Sequence, residues 1–186
     1  MWSLTCPHSG QYPIPRRDRM KRQRGFSLIE LLIVVAIILI IAAIAIPNLM
    51  RARMAANESS AVGSLRTVNT AEVTYSTTYG TGFAPLAKLG GTASPCVAAA
   101  ANACLIDPVL TLGVKSGYTI TAVAAGGAGT APNPYTTFES SAVPVSAGQS
   151  GQRSFCSDES GVIRADPAGS LAPATCAGNA AYVPIQ

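Results

Sequence analysis

KRQRGFSLIELLIVVAIILIIAAIAIP, residues 21–47, is a basic cluster running straight into a long apolar stretch. From Phe26 to Ile46 every residue except Ser27 and Glu30 is apolar. As an α-helix these 21 residues span about 31 Å, close to the ~30 Å hydrocarbon core of a bilayer. The run is longer than the apolar centre of a secretory signal peptide, roughly 7–15 residues. Pro47 and Asn48 follow it where an Ala-x-Ala processing site would stand. A retained membrane-spanning helix is therefore expected over residues 26–47.

Glu30 is out of place in such a helix. A carboxylate in lipid costs several kcal/mol unless it lies near the interface or has a partner. Glu30 lies about one turn into the span, so snorkelling toward the headgroups is one reading. A nearby cation is the other: a cut just before Phe26 would create a terminal amine about one helical turn away.

The hexapeptide Gly25-Phe26-Ser27-Leu28-Ile29-Glu30, with basic residues before it and an apolar run ending at Pro47 after it, resembles the type IV prepilin cleavage and methylation signal. The likeness is close over Lys21–Pro47 and weaker beyond. It implies that a prepilin peptidase cuts between Gly25 and Phe26 and that Phe26 is then N-methylated. It also implies that Glu30 pairs with a neighbouring subunit's amino terminus during filament assembly. The physics agrees: a buried acid without a partner is strongly unfavourable, so it selects register, while apolar burial supplies cohesion. Gly25, without a side chain, lets a protease approach the backbone. Residues 1–25 would be the leader. A start at Met20 would give the short leader MKRQRG and leave Trp2, Cys6 and His8 upstream of it.

Outward from this segment, charge is uneven. Residues 1–25 hold six basic residues (Arg16, Arg17, Arg19, Lys21, Arg22, Arg24) and one acid, Asp18; the rest holds seven basic residues against eight acids. The net +4 is thus a flank of the apolar run, not a nucleic-acid-binding surface, and it places the N-terminus on the cytoplasmic side. Of five cysteines, Cys96, Cys104, Cys156 and Cys176 follow the span. They suit an oxidising compartment and two disulfides, with three connectivities open. Sequence proximity favours Cys96–Cys104 and Cys156–Cys176. No histidine follows His8, and neither a Gly-x-Ser-x-Gly elbow nor a zinc-protease helix occurs. No catalytic residue and no cofactor are expected.

The helix is expected to continue through Pro47, with a kink there, as an amphipathic stretch over residues 48–79. Val62, Leu65, Val68, Glu72, Tyr75 and Tyr79 form its stripe. Gly80 and Gly82 end it. Residues 80–186 read as a head. Asp107-Pro108 reads as an N-cap and first helical residue of a short helix to about Leu112. Strands are expected at Tyr118–Val123, Tyr135–Ser141, Arg153–Ser157 and Val162–Ala165, with a turn at Asp158–Gly161. The glycines of residues 126–134 do not follow a phosphate-binding pattern. The fold class is α+β: a long N-terminal helix on a small antiparallel sheet, which is also the pilin head architecture that the resemblance implies.

By the same resemblance, Cys156 and Cys176 flank the last loop as a C-terminal disulfide does in many pilins. Secretion pseudopilins bind calcium near the end of their heads, which makes Asp158, Glu159 and Asp166 weak calcium candidates; turn chemistry on a solvated face is the simpler reading of these three. The implied partners are other copies of the chain, the prepilin peptidase and methyltransferase, an inner-membrane assembly platform and, before assembly, the membrane. The filament would be extracellular. Rival readings are a type II secretion pseudopilin in the periplasm, a minor adhesive or DNA-binding tip subunit, and an anchored protein that never polymerises.

Overall fold

The computed structural model describes residues 25–91, 95–169, 176 and 183–185. Residues 1–24, with the leader's basic cluster, Met20, Cys6 and His8, lie outside these. The chain divides after Ala42 into two units. One helix, α1 (Leu28–Tyr79, 52 residues), begins in the first and ends in the second. It starts two residues later than the apolar run does, because Gly25, Phe26 and Ser27 are not helical.

Among the described residues of the first unit the large apolar side chains are all exposed, from Phe26 at 80% to Ile41 at 60%. Such a surface is what a lipid or helix-bundle environment requires, and water is a poor solvent for it.

In the second unit the later turns of α1 bury Glu58, Ala61, Ser64, Leu65, Val68, Ala71, Glu72 and Tyr75. The spacing of three or four is that of one helix face. The stripe runs through Ala61, while Val62 and Tyr79 are only half-buried beside it.

The head sheet, among the described residues, has six strands in sequence order, every pair antiparallel. They are β1 (Val114–Lys115), β2 (Tyr118–Ala125), β3 (Thr137–Pro144), β4 (Ser154–Asp158), β5 (Arg164–Asp166) and β6 (Val183–Pro184). In β2 the alternation is clean: Tyr118, Ile120 and Ala122 are buried, Thr119 and Val123 exposed. The inner residues meet Leu65, Val68 and Tyr75 of α1 in one core with Ala142, Phe155, Ile163 and Ala165.

Two short helices complete the head, α2 (Leu86–Leu89) and α3 (Pro108–Thr111). Asp107 caps α3, its Oδ1 accepting from the Leu110 N–H at 2.8 Å, with Pro108 as the first helical residue. Leu86, Leu89, Ile106 and Leu110 join the same core.

Of the four expected strands only the start at Tyr118 is kept: the strands run Tyr118–Ala125, Thr137–Pro144, Ser154–Asp158 and Arg164–Asp166. Tyr135 is not the start of β3. Its backbone bridges Gly82 instead, accepting from Phe83 N–H (3.2 Å) and donating to Thr81 O (3.0 Å). The register of β2 with β3 runs from Ala125↔Thr137 to Tyr118↔Pro144 and carries the strand past Ser141. The last expected strand shifts to Arg164–Asp166, because Ser154, Phe155 and Cys156 of β4 pair with Asp166, Ala165 and Arg164. Gly82 is needed where it is: its φ is +79°, and a Cβ there would sit 2.0 Å from the Tyr135 carbonyl oxygen.

Candidate functional site: the helix start and its polar docking

Ser27 is the residue at which α1 begins, since the Leu31 N–H donates to its carbonyl at 3.2 Å. Three residues on, Glu30 turns back and its Oε2 accepts from the Ser27 N–H at 3.0 Å. This is the glutamate half of a capping box, Ser-x-x-Glu, at a helix start where an anion is also favoured by the helix dipole. Glu30 is thus bonded within its own chain, a role the sequence reading left out although the Ser27-Leu28-Ile29-Glu30 spacing displays it. The cap stops the helix short of Phe26. The Gly25–Phe26 peptide is therefore non-helical and exposed, and nothing lies within 4 Å of the position a Gly25 Cβ would take.

Pro47 lies inside α1. It has no N–H, so the Ala43 carbonyl loses its helical donor there.

Polar side chains fix where the second half of α1 sits on the head. Asn57 Nδ2 donates to Ser150 O at 2.8 Å. Glu58 Oε2 takes both Nε (2.9 Å) and Nη2 (2.7 Å) of Arg153, and its Oε1 accepts from the Gln152 and Arg153 N–H groups. Burial pushes the Glu58 carboxyl up, but the Gln152 N–H and the Arg153 guanidinium and N–H outweigh it and hold it below the usual range. Asn69 Nδ2 donates to Ser157 Oγ (2.7 Å) on β4, and its Oδ1 accepts from Ser140 Oγ (3.3 Å) on β3. Glu72, fully buried, accepts from the Ala84 N–H at 2.8 Å through Oε2. Sequence reading found Glu72 only as a stripe position and missed Glu58, Asn69 and Arg153.

The disulfides join Cys96 to Cys104 and Cys156 to Cys176, with Cα–Cα distances of 6.1 and 5.7 Å. Both sulfurs of the second pair are buried. The Cys176 N–H donates to Glu139 Oε1. Burial raises the Glu139 carboxyl against that bond, and Asp158 and Glu159 raise it further.

The three acids named as calcium candidates do not converge. Asp158 Oδ2 is on Arg164 Nη1 at 2.6 Å, and its Oδ1 accepts from the Ser160 N–H and Oγ. Asp158 and Asp166 stand at opposite ends of β4, since Asp166 pairs with Ser154. Four strand residues separate those positions by roughly 13 Å. Among the described residues no group of three or more His, Cys, Asp or Glu is placed to hold a metal ion. Turn chemistry accounts for Asp158, whose Oδ1 holds Ser160.

A long helix, apolar in its first half, with an antiparallel sheet following it is a pilin-like α+β layout. Residues 20–46 match the prokaryotic N-terminal methylation motif. The chain is homologous, over part of its length, to type IV pilins. It is 60% identical over 40 residues to the type IV wide pilus major component PilA4 of Thermus thermophilus, covering 22% of this chain and 30% of that protein. It is 50% identical over 54 residues to the type IV major pilin protein PilA of Myxococcus xanthus, covering 29% of this chain and 24% of that one. The chain thus spans less than a third of either relative's length. No solved structure matches it.

Proposed function

We propose that the chain is a structural subunit of a type IV pilus-like filament. A prepilin peptidase removes the leader between Gly25 and Phe26, the Phe26 amine is N-methylated, and the subunit waits in the cytoplasmic membrane on its apolar helix with the N-terminus inside. Assembly then exchanges lipid for the helices of other copies. The observation that carries this reading is the methylation motif over residues 20–46 on a helix whose large apolar side chains from Leu28 to Ile46 are all exposed in the single chain. The relatives, both named as pilus components, support it.

Glu30 acts twice in this scheme. Its Oε2 caps its own helix. Its remaining lone pairs take the amine of a neighbouring Phe26, so that only a subunit in register relieves the buried anion. Peptidase, methyltransferase and an inner-membrane platform are the partners this scheme needs.

The test is mass spectrometry of the N-terminal peptide from sheared surface filaments. Methylated Phe26 at the terminus is the expected result. A chain that retains residues before Phe26, or that is absent from filaments, overturns the reading. Recovery of methylated Phe26 only from periplasmic material would instead assign a secretion pseudopilin.

A further inference from the structure

The proposed scheme of cleavage, methylation and polymerisation gives Glu72 no part, yet it occupies a costly position. Its side chain is fully buried, and Oε1 has no hydrogen-bond partner. The bond from Oε2 to the Ala84 N–H ties α1 to the segment that follows it. That segment, residues 80–91, is bounded by glycines: Gly80 and Gly82 at one end, both at positive φ, and Gly90 and Gly91 at the other. It carries Ala84, Leu86 and Leu89 into the core. On its far side it is clasped to the disulfide loop, with the N–H groups of Ala103, Cys104 and Leu105 donating to Lys88, Gly90 and Leu89 carbonyls. Residues 80–91 and 95–106 are therefore treated together as one lobe. Among the described residues, the side-chain hydrogen bonds from α1 to this lobe are the Glu72 bond and that of Tyr75 Oη to Ala100 O, 2.7 Å.

We propose that Glu72 is a proton-controlled latch for this lobe. Neutral, it lets the lobe close on α1; ionised, it favours an open form in which water reaches the carboxylate and the Ala84, Leu86 and Leu89 contacts loosen. The step is a protonation only: Glu72 takes its proton from solvent on closing and returns it on opening.

Among the described residues, no cation is placed to hold the Glu72 anion, and the Ala84 N–H is its one donor. On α1 the neighbouring titratable groups are Tyr75 and Tyr79. From the lobe, Lys88 is exposed and Cys96 and Cys104 are in a disulfide. At its border Asp107 is paired with Lys115. From the sheet, Glu139 bonds the Cys176 N–H. Arg66, on α1, is exposed. None of these charges acts on Glu72: burial pushes its carboxyl up to about 7, opposed only by the Ala84 N–H. A buried acid with one donor and no cation is satisfied either by a proton or by water.

The latch is independent of polymerisation, and its test uses the unassembled full chain in non-ionic micelles. Amide hydrogen exchange, corrected for intrinsic rates, is followed from pH 5.5 to 8.5. Protection at Ala84–Leu89 and Ala103–Ile106 is expected to fall on the order of tenfold or more over that range, with Ile120 and Ala142 in the sheet unchanged. Glu72→Gln is expected to abolish the pH dependence and keep the lobe protected at pH 8.5. A flat wild-type profile, an equal loss throughout the sheet, or the same slope in E72Q would overturn the proposal. If E72Q does not fold, carbon-13 titration of the wild-type Glu72 carboxyl decides. A midpoint near 7 that coincides with shifts of the lobe amides supports the latch, and titration near the ordinary 4.5 sinks it.

Discussion

Glu30 and Glu72 sit on one helix in contrasting settings. Glu30 is exposed at the start, its Oε2 accepting from the Ser27 N–H. Glu72 is buried with one donor. A Glu30→Gln variant separates the two functions proposed for the first acid, because glutamine still serves at the third position of a capping box but carries no charge. Cleavage between Gly25 and Phe26 is expected to proceed as in the native chain, while the yield of sheared filaments falls more than tenfold. Mass spectrometry and filament yield check the two halves. Glu58 shows a third setting, a charge almost surrounded by donors. Arg153→Met removes the guanidinium but leaves the Gln152 and Arg153 backbone N–H groups, so the loss of stability is expected to be about 1–2 kcal/mol rather than the larger cost of a wholly unpaired buried charge. The urea midpoint of the head reads it. No signal in the sequence joined Glu58 to a residue 95 positions away; a pair of that separation exists only once the chain has folded.

At the scale of elements, legibility followed locality. The α3 cap was visible because Asp107 and Pro108 act on the backbone two or three residues on. Asp107→Ala should cost about 1 kcal/mol, seen as faster amide exchange at Leu110 and Thr111 and a lowered urea midpoint. Strand β2 was visible because one of its faces is buried and the other is wet. The two-residue strands β1 and β6 and the single turn of α2 were not: two or four residues are too few to show a period, and what defines them is a partner strand or a core contact. Tyr135 was misassigned for the same reason. Its β-forming composition is genuine, but its backbone groups bond to Thr81 and Phe83, near Gly82, rather than to β2. The capping box at Ser27 was local and legible, and was overlooked because Glu30 had a more conspicuous reading.

For the molecule as a whole, the titrating groups pull stability in opposite directions. Glu58, Asp107 and Asp158 are held below their ordinary values in the fold: burial raises Glu58 and Asp158, but their bonds to Arg153, Ser160 and Arg164 prevail, and the Leu110 N–H and Lys115 hold Asp107. Their contribution is present above the unfolded pKa values and is lost as pH falls through the folded ones. Glu72 and Glu139 are raised, by burial first. Their contribution is complete below the unfolded value of 4.5 and declines as pH rises through the folded one, about 7 for Glu72. Stability measured by urea titration from pH 3 to 8 should therefore rise from the acid limb, peak in weakly acidic buffer, and decline toward neutrality. In E72Q the decline should shrink. A maximum at or above pH 8 would contradict this assignment of the buried acids.

The sequence alone determined that the chain has a membrane-length apolar helix, that its start carries a methylation motif, and that an α+β head follows. Those properties reside in unbroken runs, short spacings and local caps, which need no fold to be read. Only the tertiary structure decided how the later half of the helix is seated on the sheet, which acids are paired, and that Glu72 is buried with one backbone donor among the described residues. Burial and long-range hydrogen bonding belong to the assembled core, where residues far apart in the chain become neighbours and the cost of a charge is set by what surrounds it.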